Sequence, residues 1–216
     1  MKTGEKRIVL HFNQGTIYSI LCAVLPCVIY FMVKRKNKNK LSWLFVWIFI
    51  LYIWQIYDLT GVGGLSDILY APQGGMNESI IQAKINLIPF DTIERSFYLN
   101  ILMLVPFGFL APFIWKNFRK IYKTVLLGAG FSLLIELSQL ITTRTSDIND
   151  VIANTMGAFI GYSIWKVFSL CCGRRLKKPI DSKWDLIWYI LLSFSGMFFL
   201  YYPFWFSRAI APLIWG

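Results

Sequence analysis

Leu41-Ser-Trp-Leu-Phe-Val-Trp-Ile-Phe-Ile-Leu-Tyr-Ile-Trp-Gln-Ile-Tyr57 runs for seventeen residues without a charged side chain, and this stretch decides the class of the chain. A helix that crosses the hydrocarbon core of a bilayer needs about 20 mainly apolar residues, with a range near 17–25. Five further segments read the same way: Gly15 to Val33, Asn100 to Trp115, Thr124 to Ile141, Val151 to Leu170 and Leu186 to Phe206. The composition agrees. Of 216 residues, 56% are apolar, 18% aromatic and only 15% charged, against about a quarter charged in soluble domains. The expected fold is all-α: a polytopic transmembrane helical bundle of about six spans, with a long loop between spans two and three.

The net charge of +11 raises the question of nucleic acid, but its distribution argues against that partner. Basic residues collect between apolar runs: five from Lys34 to Lys40, four from Lys116 to Lys123 and five from Cys171 to Asp185. These are the odd-numbered loops of a six-span chain, so the bias of Lys and Arg toward the cytoplasm places all three there. The long loop from Asp58 to Leu99 and both termini are then extracytoplasmic, with Lys2, Lys6 and Arg7 running against the trend. Lys34-Arg35-Lys36 follows the first span where a signal peptide would have a small-residue cleavage site, so that span reads as retained. Pro106 and Pro112 make the short third span a candidate for a kinked or partly re-entrant helix. Gly61, Gly63, Gly64 and Pro72-Gln-Gly-Gly75 mark the long loop as turn-rich, while Glu78 to Asn86 has helical character.

Catalytic or metal-binding constellations are sparse. Cys22 and Cys27 sit in an apolar run and Cys171-Cys172 ends another, with neither a disulfide framework nor a zinc spacing, so packing is the expected role. His11 is the only histidine and has no serine elbow or cysteine partner. The nine tryptophans and eleven tyrosines fall mostly near span ends, as membrane-interface belts do. No internal repeat supports an inverted-repeat transporter.

Glu136 is the residue that stands out, because a charged side chain inside a bilayer costs on the order of 2.5–3.5 kcal/mol on insertion scales. Ser132, Glu136 and Gln139 are spaced by four and three, so they share one helix face, which must turn away from lipid. Continuing the helix would put Glu136 about 12 Å below Arg144. In Asp147-Ile-Asn-Asp150-Val-Ile-Ala-Asn154-Thr-Met-Gly157-Ala-Phe-Ile-Gly161, Asp147 is expected to cap the fifth span, with Asp150 and Asn154 continuing its face. Gly157 and Gly161 have the spacing that lets a neighbouring helix approach closely. A tight hairpin should set Glu136 and Asn154 at similar depth, with Asn100 reaching the same rim. Two readings compete. Interhelical hydrogen bonds and an Arg144 salt bridge would make the cluster structural; a polar pocket opening to the outer leaflet would make Glu136 a proton carrier or hydrogen-bond donor. A divalent cation held by oxygen ligands is a weaker third option, since no coordination set is evident.

The same residues carry a resemblance. Asn86-Leu-Ile-Pro89-Phe90, then Asn100-Ile-Leu-Met-Leu-Val-Pro106-Phe107-Gly108, then Glu136-Leu-Ser-Gln139 with Arg144 and the Asp147–Gly157 block, resemble in order the motifs of the VanZ-like family of bacterial membrane proteins. The resemblance spans about Lys84 to Ile164. It divides the chain into a two-span extension with its loop (1–83), a VanZ-like core (84–170) and a basic loop with a C-terminal span (171–216). It implies a protein of the bacterial cell membrane, associated through the family's namesake with low-level teicoplanin resistance, and it brings neither a cofactor nor catalytic residues to carry over. The expected function is non-enzymatic binding of an outer-leaflet amphiphile, such as a lipid, a cell-wall precursor or a lipoglycopeptide, by Asn86, Asn100, Glu136, Gln139, Arg144, Asp147, Asp150 and Asn154. The alternatives are a membrane enzyme that modifies a lipid or wall precursor with Glu136 or Asp150 as general base, and a scaffold for other envelope proteins.

Overall fold

The computed structural model describes residues 14–34, 40–69, 85–91, 93–142, 145–172 and 179–202. The apolar runs form helices: α1 (Gln14–Lys34), α2 (Lys40–Thr60), the short α3 (Leu65–Leu69), α4 (Arg95–Ile114), α5 (Ile121–Gln139), α6 (Ile148–Cys172) and α7 (Asp185–Leu200). A 21-residue helix such as α1 or α2 rises about 32 Å, close to the hydrocarbon thickness of a bilayer. Among the described residues, five helical segments are long and apolar enough to cross a membrane, and α7 is a shorter apolar helix of 16 residues. The last residues of the expected sixth span, beyond residue 202, lie outside the described residues. So does the loop segment 70–84, which holds most of the Glu78–Asn86 stretch expected to be helical; the last two residues of that stretch, Ile85–Asn86, form a β-strand.

Cross-helix contacts fix the directions. Trp54 Nε1 donates to Ser19 Oγ (3.0 Å) and Phe31 packs on Trp43, so α1 and α2 are antiparallel. Phe45 meets Phe113 and Tyr52 meets Met103, so α2 and α4 are antiparallel too. α7 returns along α1, with Tyr30 donating to Asp185 Oδ1 (2.9 Å) near one end and Tyr18 donating to the Leu200 carbonyl near the other. α4 and α6 run parallel and form the most extensive interface of the bundle. Here hydrophobic driving force is weak, because lipid is as apolar as the helix surface, and close backbone packing takes its place. An added Cβ would lie 2.2 Å from the Ile101 carbonyl oxygen at Gly157 and 2.0 Å from that of Val105 at Gly161.

α4 departs from the expected short or re-entrant span. It starts five residues earlier, at Arg95, and continues as 20 helical residues through Pro106 and Pro112. Its continuity has a local cause. A proline lacks an N–H and crowds the carbonyl four residues back, which opens the helix beside it. At the adjacent rung the Tyr52 hydroxyl inserts, donating to the Met103 carbonyl (2.6 Å) and accepting from the Phe107 N–H (3.1 Å), which would otherwise pair with each other. The helix is thereby wedged without leaving these two buried backbone groups unpaired.

The bundle has two unlike ends. At one, Trp115 bridges to Ile180, a 3₁₀ turn (Lys116–Arg119) follows α4, and α5 and α7 both begin: this is the basic end. At the other, the chain leaves α5, pairs with the segment before α4, and enters α6: this is the acidic end. Cys22 and Cys27 are buried packing residues as expected, but Cys171 is exposed and Cys172 half-buried at the end of α6, so packing does not account for that pair. His11 lies outside the described residues.

Candidate functional site

The face predicted on α5 is real. Ser132, Glu136 and Gln139 are all buried. Gln139 Nε2 donates to the Thr60 carbonyl at the end of α2 (2.7 Å), and Ser132 Oγ accepts from Asn154 Nδ2 on α6 (2.8 Å). Asn154 is therefore level with Ser132, a turn below the position expected opposite Glu136. Glu136 faces the chain that enters α6: its Oε2 accepts from Ser146 Oγ (2.8 Å) and from the Asp147 N–H (3.1 Å). The continuous helix toward Arg144 on which the expected 12 Å rests ends at Gln139. There the Thr142 N–H and hydroxyl both bond the Gln139 carbonyl and turn the chain. Arg144, with the salt bridge assigned to it, lies outside the described residues.

Asp147 does cap α6, its Oδ1 accepting the Asn149 N–H two residues on (2.8 Å). Its other oxygen accepts from Asn86 Nδ2 (3.3 Å), and the backbones of the two segments pair as short parallel strands, β1 (Ile85–Asn86) with β2 (Ser146–Asp147). Asn86 Oδ1 accepts from the Ile88 N–H (3.1 Å), and Asn149 Oδ1 accepts from the Phe90 N–H (2.7 Å). Phe90 has a positive φ of 61°, a conformation that costs a bulky L residue of order 1–3 kcal/mol and must be held by its surroundings. The Asn-Leu-Ile-Pro-Phe segment is thus pinned to the start of α6, and α6 to the end of α5, by Asn86, Glu136, Asp147 and Asn149. Asn149 was not among the expected binding residues. Its spacing two residues after a capping aspartate was the available signal.

Asp150 and Asn154 lie on the inner face of α6, where with Glu136, Gln139, Asn100 and residues of α2 they line a cavity of about 570 Å³. Asn100 lines the same cavity as Asp150, so Asn100 does reach the rim. Among the described residues, the buried Asn154 Oδ1 has no hydrogen-bond partner. The remaining wall is mostly apolar, and three of its members, Leu59, Leu99 and Leu102, are exposed on the outside of the bundle, so the cavity opens between α2 and α4. Asn86 and Asp147 are not part of its lining; they belong to the network that closes the acidic end. Tyr52, Gln55 and Thr60 of α2 do line it and were missed by sequence reasoning. Gln55, a polar side chain inside an otherwise apolar span, was a readable signal. Among the described residues no group of three or more His, Cys, Asp or Glu is gathered as a metal site.

The segment from α2 through α6 that builds this cavity is also the part shared with known proteins. The family model described as VanZ/LLP1 matches residues 49–169, more than half of the chain. The chain belongs to the VanZ/LLP1 family. Its match begins inside α2, well before Lys84, so the VanZ/LLP1 region includes the helix that supplies Tyr52, Gln55 and Thr60. No curated protein and no solved structure matches the chain.

Proposed function

We propose that this VanZ/LLP1 membrane protein binds an outer-leaflet amphiphile in the cavity between α2, α4, α5 and α6, and through that binding alters envelope sensitivity to glycopeptides such as teicoplanin. The observation that carries the reading is the cavity's division of chemistry. Two carboxylates and two asparagines gather toward one end, while exposed leucines form its mouth on the outside of the bundle. Its size falls in the range of about 300–1,000 Å³ usual for small-molecule sites. A lipid or acylated ligand entering between α2 and α4 would lay its chain along the leucines and offer amine or hydroxyl donors to Asp150 and Glu136. Lys34, Lys116, Arg119, Lys120, Lys123 and Lys183, at the far end of the bundle, support an acidic end on the extracytoplasmic side.

Asp150 gives the sharpest test. Glu136 Oε2 and both oxygens of Asp147 are engaged within the protein, whereas Asp150 faces the cavity beside Asn100. Exchanging a charged acceptor for an amide should forfeit about 1.5–3 kcal/mol of a ligand hydrogen bond, or roughly 10–100-fold in affinity. Asp150→Asn is therefore expected to abolish the teicoplanin phenotype of an expressing strain at unchanged protein abundance, with Glu136→Gln and Asp147→Asn reducing it. Unchanged sensitivity in all three would end the pocket reading.

Sidedness is tested separately. In a cysteine-free background, Thr145→Cys at the exposed acidic end is expected to react with a membrane-impermeant thiol reagent added outside, and Lys120→Cys at the basic end is not. The opposite pattern would remove outer-leaflet ligands from consideration.

The cavity-facing position of Asp150, with Glu136 Oε2 taken up by Ser146 and the Asp147 N–H, also favours one specific form of the enzymatic alternative, with Asp150 rather than Glu136 as general base. Turnover of a defined lipid by purified protein, lost in Asp150→Asn, would select it.

A further inference from the structure

A second cavity, of about 510 Å³, lies at the basic end between the starts of α5 and α7, far from the carboxylates of the first. Its walls are of two kinds. Asn117, Lys123 and Lys183 make its polar lining, and Leu126, Leu127 and Ile187 line it along the two helices, with Trp184 also in its wall. Leu126 and Trp184 are 67% and 63% exposed, so this slot is on the outer surface of the bundle. The polar lining is ordered by Asn117, whose Oδ1 accepts from Lys123 Nζ (2.5 Å) and whose Nδ2 donates to the Lys183 carbonyl (3.4 Å). The carboxylates nearby in the chain are engaged elsewhere. Asp181 lies 4.0 Å from Lys116 Nζ, and Asp185 is buried and accepts from the Tyr30 hydroxyl of α1 (2.9 Å).

Two lysines lining an apolar slot, on the outside of a membrane bundle and beside an exposed tryptophan, complement a ligand with an anionic head and a hydrocarbon chain. A free anion would meet the lysines and leave the slot unused. We infer that the groove between α5 and α7 binds an anionic phospholipid, with Lys123 and Lys183 on the headgroup phosphate and Leu126, Leu127 and Ile187 along the first part of an acyl chain. This site is independent of the amphiphile cavity at the acidic end, and neither needs the other.

The test uses full-length protein in mild detergent, with bound lipid counted by native mass spectrometry after addition of phosphatidylglycerol or phosphatidylcholine. One phosphatidylglycerol is expected to be retained in preference to phosphatidylcholine. Each of Lys123→Gln and Lys183→Gln is expected to lower its retention about fivefold, and the pair on the order of twentyfold, while Lys116→Gln has little effect. Lys123→Arg with Lys183→Arg keeps both charges and is expected to retain the preference, which separates a lost site from a misfolded protein. Equal retention of the two lipids by the parent protein, or undiminished phosphatidylglycerol retention by the double glutamine variant, would overturn the proposal. So would inorganic phosphate alone raising the melting temperature as far as phosphatidylglycerol does, since the site would then recognise a free anion.

Discussion

Gly161→Ala is expected to destabilise the bundle by about 3 kcal/mol, at the upper end of what overpacking costs, and the double variant with Gly157→Ala by more. The reason is that nothing at these positions can yield cheaply. The new Cβ at residue 161 would sit 2.0 Å from the Val105 carbonyl oxygen and 2.9 Å from the Phe109 nitrogen, and at residue 157 it would sit 2.2 Å from the Ile101 carbonyl oxygen. All three atoms are backbone of α4, so relief requires moving a helix rather than turning a side chain. Both residues lie one turn apart on the same seam, so their effects are coupled and need not add. Gly130 is the control: an added Cβ there meets nothing within 4 Å, and Gly130→Ala should be neutral or slightly stabilising through helix propensity. Thermal unfolding in one detergent, for all four proteins, gives the comparison. A double variant that melts with the parent would mean that the parallel packing of α4 on α6 does not hold the bundle together.

That seam was legible in advance because it depends only on spacing along one helix. Gly157 and Gly161 are four residues apart, and the same arithmetic set Asp150 and Asn154 on one face and Ser132, Glu136 and Gln139 on another. The capping role of Asp147 was readable for a similar reason, since a cap acts on the two or three residues that follow it. What escaped were relations between elements. Proline chemistry at Pro106 suggested a broken span, but the chain also carries Tyr52, 54 residues earlier, whose hydroxyl fills the adjacent rung; no local pattern links the two. Ile85–Asn86 looked helical because a parallel pairing with Ser146–Asp147, 61 residues away, leaves no mark on either segment alone. The depth of Asn154 was misjudged by one turn for want of knowing where α5 stops, and that stop depends on how Thr142 folds back on Gln139. The contribution of α2 to the cavity was invisible for the same reason, although the family match from residue 49 shows that this helix belongs to the shared region.

Glu136 is where the structural and ligand-binding readings make different demands, and its two simplest replacements should separate them. Glu136→Ala is expected to cost about 3–5 kcal/mol, because two hydrogen bonds to a charged acceptor are lost at once. The damage should also spread. Oε2 of Glu136 holds Ser146 and the Asp147 N–H; Asp147 holds Asn86 and Asn149; Asn149 holds the backbone of Phe90 in its positive-φ conformation. Hydrogen exchange should therefore rise together in residues 85–91 and 145–150, while the α4–α6 seam around Gly157 stays protected. Glu136→Gln keeps a carbonyl oxygen able to accept the same bonds, so its exchange pattern should stay near that of the parent. If the glutamine variant is as well protected as the parent and still loses glycopeptide sensitivity effects, the charge serves a ligand and the hydrogen bonds serve the fold. If both variants keep the phenotype but only the alanine variant loosens, Glu136 is a tie between α5 and α6, and ligand recognition falls to Asp150. Alanine protection equal to that of the parent would remove the tie itself, because no chain of bonds could then be holding Phe90 through this carboxylate.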